Sequence, residues 1–489
     1  MTSQTYSTIL LLIINGLGIS EDGKINRADT PNLSKYSENF PTASLYAGGP
    51  AVGLKEGVKL DSELGHIVLG SGRKYDSIAS KISRYFNRQD FAKQSKLAEI
   101  EQKVSSKEDS KLNLIGVLDP AEKLTKLNHL LGLVNYYREK QIPANLHLIL
   151  ETKNSANLEL NQQLMKLEDK LESDEFIDIT TIVDREYALG NFNWNRIVNY
   201  YQTLLGEKEN FAEFDQASNV LSDKSEQIDI LVNSQLQKKK FIQDGEPILF
   251  FNYKKDYILD LVKAFSLPVF KKFERKFLAK SDIYSLVEYD RNLPVESIFS
   301  QTILHNTLPE ILNKEDVNQA YITPVEKFSH LNYYFNGSRR EKHKTEDRIT
   351  LNNNRKLSSD DYKMVGEQIY KKITQLLQQD NHTFIVAEFP NFELINDESK
   401  KITALEYIDK KVGKIVDNTL VKQGGCLITS DYSQLNSDKN RVPLYLVSNE
   451  YKGLSFPNGD VPHGELSLAA PAGSLTNITP TILDLLNVE

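Results

Sequence analysis

This 489-residue chain is poor in several things, and each scarcity removes a class of protein. It has one cysteine, Cys426, so no intramolecular disulfide can form and a reducing, cytoplasmic setting is favoured. It lacks a basic excess: Lys+Arg 59 against Asp+Glu 67 leaves a net charge of -8, which argues against a general nucleic-acid binder. It also lacks long apolar runs. The N-terminal ILLLII is far shorter than the roughly 20 residues that cross a bilayer, and no basic stretch precedes it, so neither a membrane segment nor a signal peptide is expected. There is no internal repeat and no sustained heptad. At 40% hydrophobic and 26% charged residues, the balance is that of a globular protein long enough for two domains.

The chain does contain short aliphatic runs bounded by turn residues: TILLLIIN, NLIGVL, ANLHLILE, IDITTIV, PILFFNY, TFIVAEF, GGCLITS and VPLYLVS. Being apolar at nearly every position, they read as strands covered on both faces, as in parallel sheets flanked by helices. Segments of helical period alternate with them, AEKLTKLNHLLGLVNYYREK among others, which points to an α/β architecture. The charged stretch at residues 94–111 and the segment FNGSRREKHKTEDRITLNNNRKLSSDD show no sheet signal and read as solvated surface or loop. Cys426, within GGCLITS, and Trp194, within NFNWNR, read as core.

Ligands of open α/β sheets lie outside the carboxyl edge of the strands. Asn15 follows the first run, Asn252 the run ILFF, and Glu393, Asp397, Asp431 and Asp438 follow two later runs. Carboxylates at such edges fit a hard-cation site and helix N-caps equally well. Ser62, in KLDSELGH, is either a nucleophile or a hydroxyl that starts a helix.

Seven segments, TILLLIINGLG, VGLKEGVKLDSELGHIVLGSGR, VDREYALGNFNWNRI, ILFFNYKKD, VEKFSHLNYYFNGS, CLITSDYSQ and GSLTNITPTILDLL, fall in the order and spacing of cofactor-independent phosphoglycerate mutases of the alkaline phosphatase superfamily. The chain resembles that family along essentially its whole length. The resemblance implies an alkaline-phosphatase-like sheet between helices, built from residues 1–77 and 301–489, and an inserted α/β substrate-binding domain at 78–300. It implies a serine nucleophile, Ser62, which accepts a phosphoryl group from one glycerate hydroxyl and returns it to the other, beside two divalent metals, commonly manganese.

Carried over residue by residue, the first metal cluster falls on Asn15, Ser62, Asp431 and Tyr432, and the second on Glu393, Asp397 and Ser437. No histidine stands where the family places one, and among the eight histidines only His66 lies in a metal-bearing motif. An all-oxygen set suits magnesium or calcium better than manganese or zinc. The substrate pocket maps onto Lys153, Arg185, Lys254 and Lys327, with lysine or asparagine replacing most of the two-point grip of arginine.

The main expectation is therefore a relative without mutase activity or metal, working as a binding, regulatory or structural component with a protein partner. The alternatives are a phosphoglycerate mutase with a rearranged manganese or magnesium site, or a related phosphotransferase. Either would take phosphoglycerate or another small anion.

Overall fold

In the computed structural model the described residues are 6–19, 28–88, 94–152, 157–172, 174–189, 193–208, 211–221, 230–234, 241–255, 257–300, 302–351, 358–390, 395, 397–434, 440–456 and 465–488. The chain divides into two compact units, Met1–Ser77 with Thr302–Glu489, and Ile78–Gln301. Each is a mixed α/β unit around one eight-stranded sheet.

In the first unit the strands lie in the spatial order Glu346–Leu351, Gln319–Pro324, Phe384–Phe389, Ile9–Ile14, Gly425–Thr429, Arg441–Val447, Thr42–Tyr46 and Pro471–Ser474. The first five are parallel to one another; Arg441–Val447 runs against both of its neighbours. The aliphatic runs are continuous because both faces are covered. Ile9, Leu11 and Ile13 enter one core, while Leu10, Leu12 and Ile14 enter the other. Helices Tyr362–Gln379 and Glu398–Val421 close the second of these faces through Val365, Ile369, Ile373, Leu405, Ile408 and Val412. The terminal helix Ile478–Leu485, from GSLTNITPTILDLL, packs Ile478, Ile482 and Leu485 into the first.

The second unit orders its strands Glu296–Phe299, Ile283–Val287, Ile248–Phe250, Leu112–Leu118, Ala144–Leu150, Ile177–Asp184, Leu231–Asn233 and Ala212–Phe214. All pairs are parallel except Ile177–Asp184 with Leu231–Asn233. Among the described residues, no helix is long and apolar enough to cross a membrane.

Two segments differ from the expectation of solvated loop. Ser95–Ser105 is a helix, whose Leu97, Ile100 and Val104 recur at helical spacing and are buried beneath the charged face. Glu346–Leu351 is an edge strand paired with Gln319–Pro324. An edge strand is half solvated, so its polar sequence EDRITL is compatible with pairing and blunts the edge. Ser338 and His343 in the preceding basic stretch are buried, with His343 Nε2 3.0 Å from Asn336 Oδ1. Cys426 is fully buried, and Trp194 packs partly buried between Phe270 and Phe273.

Candidate functional site

Four adjacent parallel strands of the first unit end at one edge. Their register sets Glu388 beside Ile13 and Ile13 beside Thr429, while Ile322 pairs with Ala387. Thr323, Glu388, Asn15 and Asp431 therefore stand in a row, each at or just past the end of its own strand. Gly16, at φ +79°, turns the chain back at this point, and its N–H donates to Asp431 Oδ1 at 3.2 Å.

Helix Ser62–Ser71 approaches the row end-on. Its N-cap is Asp61, whose carboxylate accepts from Leu64 N at 2.9 Å, so Ser62 is released from the capping role open to it in the sequence. The close approach needs Gly65, because a Cβ there would lie 2.2 Å from the backbone oxygen of Asp431. His330 enters from the helical turn His330–Tyr334, three residues after Lys327.

These elements bring seven polar side chains together, none more than 8% exposed. The Ser62 hydroxyl donates to Asp431 Oδ2 and receives a hydrogen bond from Asn15 Nδ2 at 3.1 Å; Asn15 Nδ2 also donates to Asp431 Oδ2 at 2.8 Å. His330 Nδ1 lies 3.2 Å from Ser62 Oγ and 2.5 Å from Glu388 Oε1. Thr323 Oγ1 donates to Glu388 Oε2 at 3.0 Å. His66 Nδ1 meets the Ser62 carbonyl at 2.7 Å, while His66 Nε2 lies 3.8 Å from Glu388 Oε1.

Burial pushes the carboxyls of Glu388 and Asp431 upward, opposed at Glu388 by His66 and Lys327 and at Asp431 by the Ser62 hydroxyl. Burial also lowers His66 to about 4, so its imidazole is neutral at physiological pH. Two buried atoms of the cluster, His66 Nε2 and Asn15 Oδ1, have no hydrogen-bond partner among the described residues. Buried polar atoms without partners are uncommon and costly, and here they sit beside two carboxylates. Such a donor set fits one divalent cation.

Of the expected site residues, Asn15, Ser62 and Asp431 meet in this cluster. Asp397 has a different role: it is exposed, and its carboxylate caps helix Glu398–Val421 by accepting from Lys400 N at 2.8 Å. A strand-edge aspartate three residues ahead of an amide donor serves equally as a cap, and that is the role realised. Glu393, Ser437 and Asp438 lie outside the described residues. Tyr432 follows Asp431 and is partly buried. Lys327 is partly buried and close enough for its charge to act on both His66 and Glu388.

In the second unit, Arg185 is buried, its Nε 2.5 Å from Glu151 Oε2 and its guanidinium 4.2 Å from the centre of the Tyr257 ring. Lys254 is partly buried after strand Ile248–Phe250. Lys153 lies outside the described residues.

Two members of the cluster are hard to find in the sequence. Glu388 is masked by the apolar run FIVAEF, where only its place near the strand end distinguishes it. His330 belongs to VEKFSH, which draws attention to Lys327 instead.

A family model described as the metalloenzyme superfamily matches residues 7–489. A 2,3-bisphosphoglycerate-independent phosphoglycerate mutase of Clostridium botulinum is 28% identical over 98% of this chain and 96% of its own length. A protein of the same name from Antithamnion sp. is 26% identical over 100% of this chain and 98% of its own. Among solved structures, a Leishmania mexicana phosphoglycerate mutase at low cobalt concentration aligns with a TM-score of 0.78 and 20% identity, covering 100% of this chain and 97% of that one. That last likeness speaks for the fold.

Proposed function

The chain belongs to the metalloenzyme superfamily, and from that premise we propose that it is a phosphoglycerate mutase-like phosphotransferase acting through Ser62. The observation that carries this reading is the hydroxyl of Ser62, held at a helix N-terminus against Asp431 Oδ2, Asn15 Nδ2 and His330 Nδ1. Similarity to phosphoglycerate mutases over the full length of the chain supports it.

The reaction asks three things of the chain's residues. Asp431 accepts the hydrogen bond of the Ser62 hydroxyl and is the group that takes its proton as the oxygen attacks phosphorus. The bond from phosphorus to the glycerate oxygen breaks, and that oxygen leaves as a hydroxyl carrying the proton. The second glycerate hydroxyl then attacks phosphoserine, reversing the exchange and restoring Ser62. Asn15 holds the serine oxygen and the aspartate in line through one amide nitrogen. Lys327 contributes positive charge beside the site. A divalent ion, if held by His66, His330 and Glu388, would supply positive charge for the transferring phosphoryl oxygens and for the serine oxygen. In this reading the unit Ile78–Gln301 is the substrate-binding part.

The test is conversion of 3-phosphoglycerate to 2-phosphoglycerate by purified protein with manganese or magnesium. Turnover that Ser62→Ala abolishes is the expected result, and no turnover with either ion overturns the mutase reading. A second reading, a non-catalytic relative that binds a partner, draws on Arg185. That arginine is engaged with buried Glu151 rather than offered to an anion.

A further inference from the structure

We propose that His66, His330 and Glu388 form a binding centre for a single first-row divalent transition-metal ion, adjoining Ser62 and Asp431. This rests on the phosphotransferase reading only for the ion's use, not for its binding.

The argument turns on which atoms face one another. A backbone carbonyl can only accept, so His66 Nδ1, 2.7 Å from the Ser62 carbonyl, carries the ring proton. The neutral imidazole then presents a bare lone pair at Nε2. That atom is fully buried, has no hydrogen-bond partner among the described residues and lies 3.8 Å from Glu388 Oε1, which is itself an acceptor. Two buried acceptors turned toward each other need positive charge between them. At 3.8 Å the gap is too long for one hydrogen bond. It matches two ligand atoms each about 2.1 Å from a shared ion.

His330 supplies the third donor. One ligand atom from each of His66, His330 and Glu388 lies within 4.8 Å of the others, and the two imidazole rings are 4.7 Å apart. The surroundings hold these ligands as metal ligands are commonly held: His66 through a backbone carbonyl, Glu388 through Thr323 Oγ1 at 3.0 Å.

A serine–histidine–carboxylate relay is the competing use of the same residues, and the geometry disfavours it. In such a relay the serine and the carboxylate engage opposite ring nitrogens. Here Ser62 Oγ and Glu388 Oε1 both approach Nδ1 of His330, so they do not engage opposite ring nitrogens.

Two imidazoles and one carboxylate make a mixed nitrogen and oxygen set, which selects manganese, cobalt or zinc over magnesium and calcium. The family resemblance pointed to an oxygen-only remnant; these three residues restore nitrogen ligands from different positions in the chain.

The experiment is equilibrium dialysis of the full-length protein against Mn²⁺ with excess Mg²⁺ present, with bound metal counted by mass spectrometry. Wild-type protein is expected to retain one Mn²⁺ per chain. Glu388→Gln and His66→Gln are expected to weaken binding at least about tenfold, whereas Ser62→Ala retains the ion. Wild-type protein without stoichiometric Mn²⁺, or Glu388→Gln binding as tightly as wild type, overturns the proposal. If a variant does not fold, the wild-type count decides alone, together with a rise in melting temperature on adding Mn²⁺. Turnover without bound metal would refute this centre and leave the phosphotransferase reading standing. Bound metal without turnover would do the reverse.

Discussion

The two units place the same kind of row at the carboxyl edge of four adjacent parallel strands, and the two rows are finished in opposite ways. In the second unit the row is Asn252, Asp119, Glu151 and Asp184. Asp119 accepts from the amides of Ala121, Lys123 and Leu124 at 2.7–3.0 Å, Asp184 accepts from Thr152 and Glu186, and Glu151 is paired with Arg185. These carboxylates are spent on local turns and one internal ion pair. In the first unit the row is Thr323, Glu388, Asn15 and Asp431. Its carboxylates face histidines, and His66 Nε2 and Asn15 Oδ1 have no hydrogen-bond partners among the described residues. The second row also keeps an unpartnered atom among the described residues, Asn252 Nδ2, but that atom is a donor and the carboxylates beside it are bonded locally. What sets the first row apart is that buried acceptors face acceptors, an arrangement that suits a cation.

The contrast can be broken most sharply at Ser62. If the first row is the reactive one, Ser62→Ala lowers phosphoryl transfer by at least about 10⁴-fold in steady-state assays, while circular dichroism shows the fold unchanged. Comparable activity in the variant would remove the distinction between the rows.

The second row is tested through Arg185. Arg185→Ala strands the buried Glu151 carboxylate and is expected to cost about 3–5 kcal/mol of stability. Urea unfolding followed by the fluorescence of Trp194, the single tryptophan and a residue of the second unit, reads this directly. The double variant Arg185→Met with Glu151→Gln should recover much of the loss. An arginine kept only to hold substrate would instead raise KM and leave unfolding unchanged.

The histidines sharpen the comparison further. His147, on strand Ala144–Leu150, bridges Thr181 Oγ1 at 3.0 Å and Asn113 Oδ1 at 3.3 Å, and burial lowers it to about 3. Its folded pKa lies below the unfolded value, so its contribution is complete above about pH 6.5 and is lost as pH falls toward 3. Fully developed, this loss is on the order of 3–5 kcal/mol. Relative to wild type, His147→Gln should flatten the decline in stability between pH 6 and pH 4, measured by the same fluorescence. The smallest effect belongs to Asp397. Asp397→Ala removes a helix cap and should cost about 1 kcal/mol, leaving bound metal and turnover as they were.

Much of the fold is legible in the sequence because buried parallel strands leave uninterrupted aliphatic runs. TILLLIIN, TFIVAEF and GGCLITS are three of the four strands that carry the site. The fourth, Gln319–Pro324, contains Gln319, Tyr321 and Thr323, which are buried yet hydrogen-bonded and so break the apolar signal. Half-solvated elements hide more deeply: the edge strand EDRITL reads as loop, and helix Ser95–Ser105 shows only a narrow apolar stripe.

The site divides along similar lines. Asn15, Ser62 and Asp431 are visible because turns and strand ends announce them. Glu388 is not, since one charge at the end of an aliphatic strand looks like the start of a loop. Asp397 shows how a capping carboxylate and a metal-binding one share the same local sequence: in the structure it caps helix Glu398–Val421.

The most direct measurement is on Ser62 itself. Protein incubated with 3-phosphoglycerate and Mn²⁺, quenched in acid, digested and examined by mass spectrometry should carry a phosphoryl group on the peptide KLDSELGH at Ser62, and Ser62→Ala should carry none. Wild-type protein with stoichiometric bound metal and no phosphate at Ser62 would contradict the account.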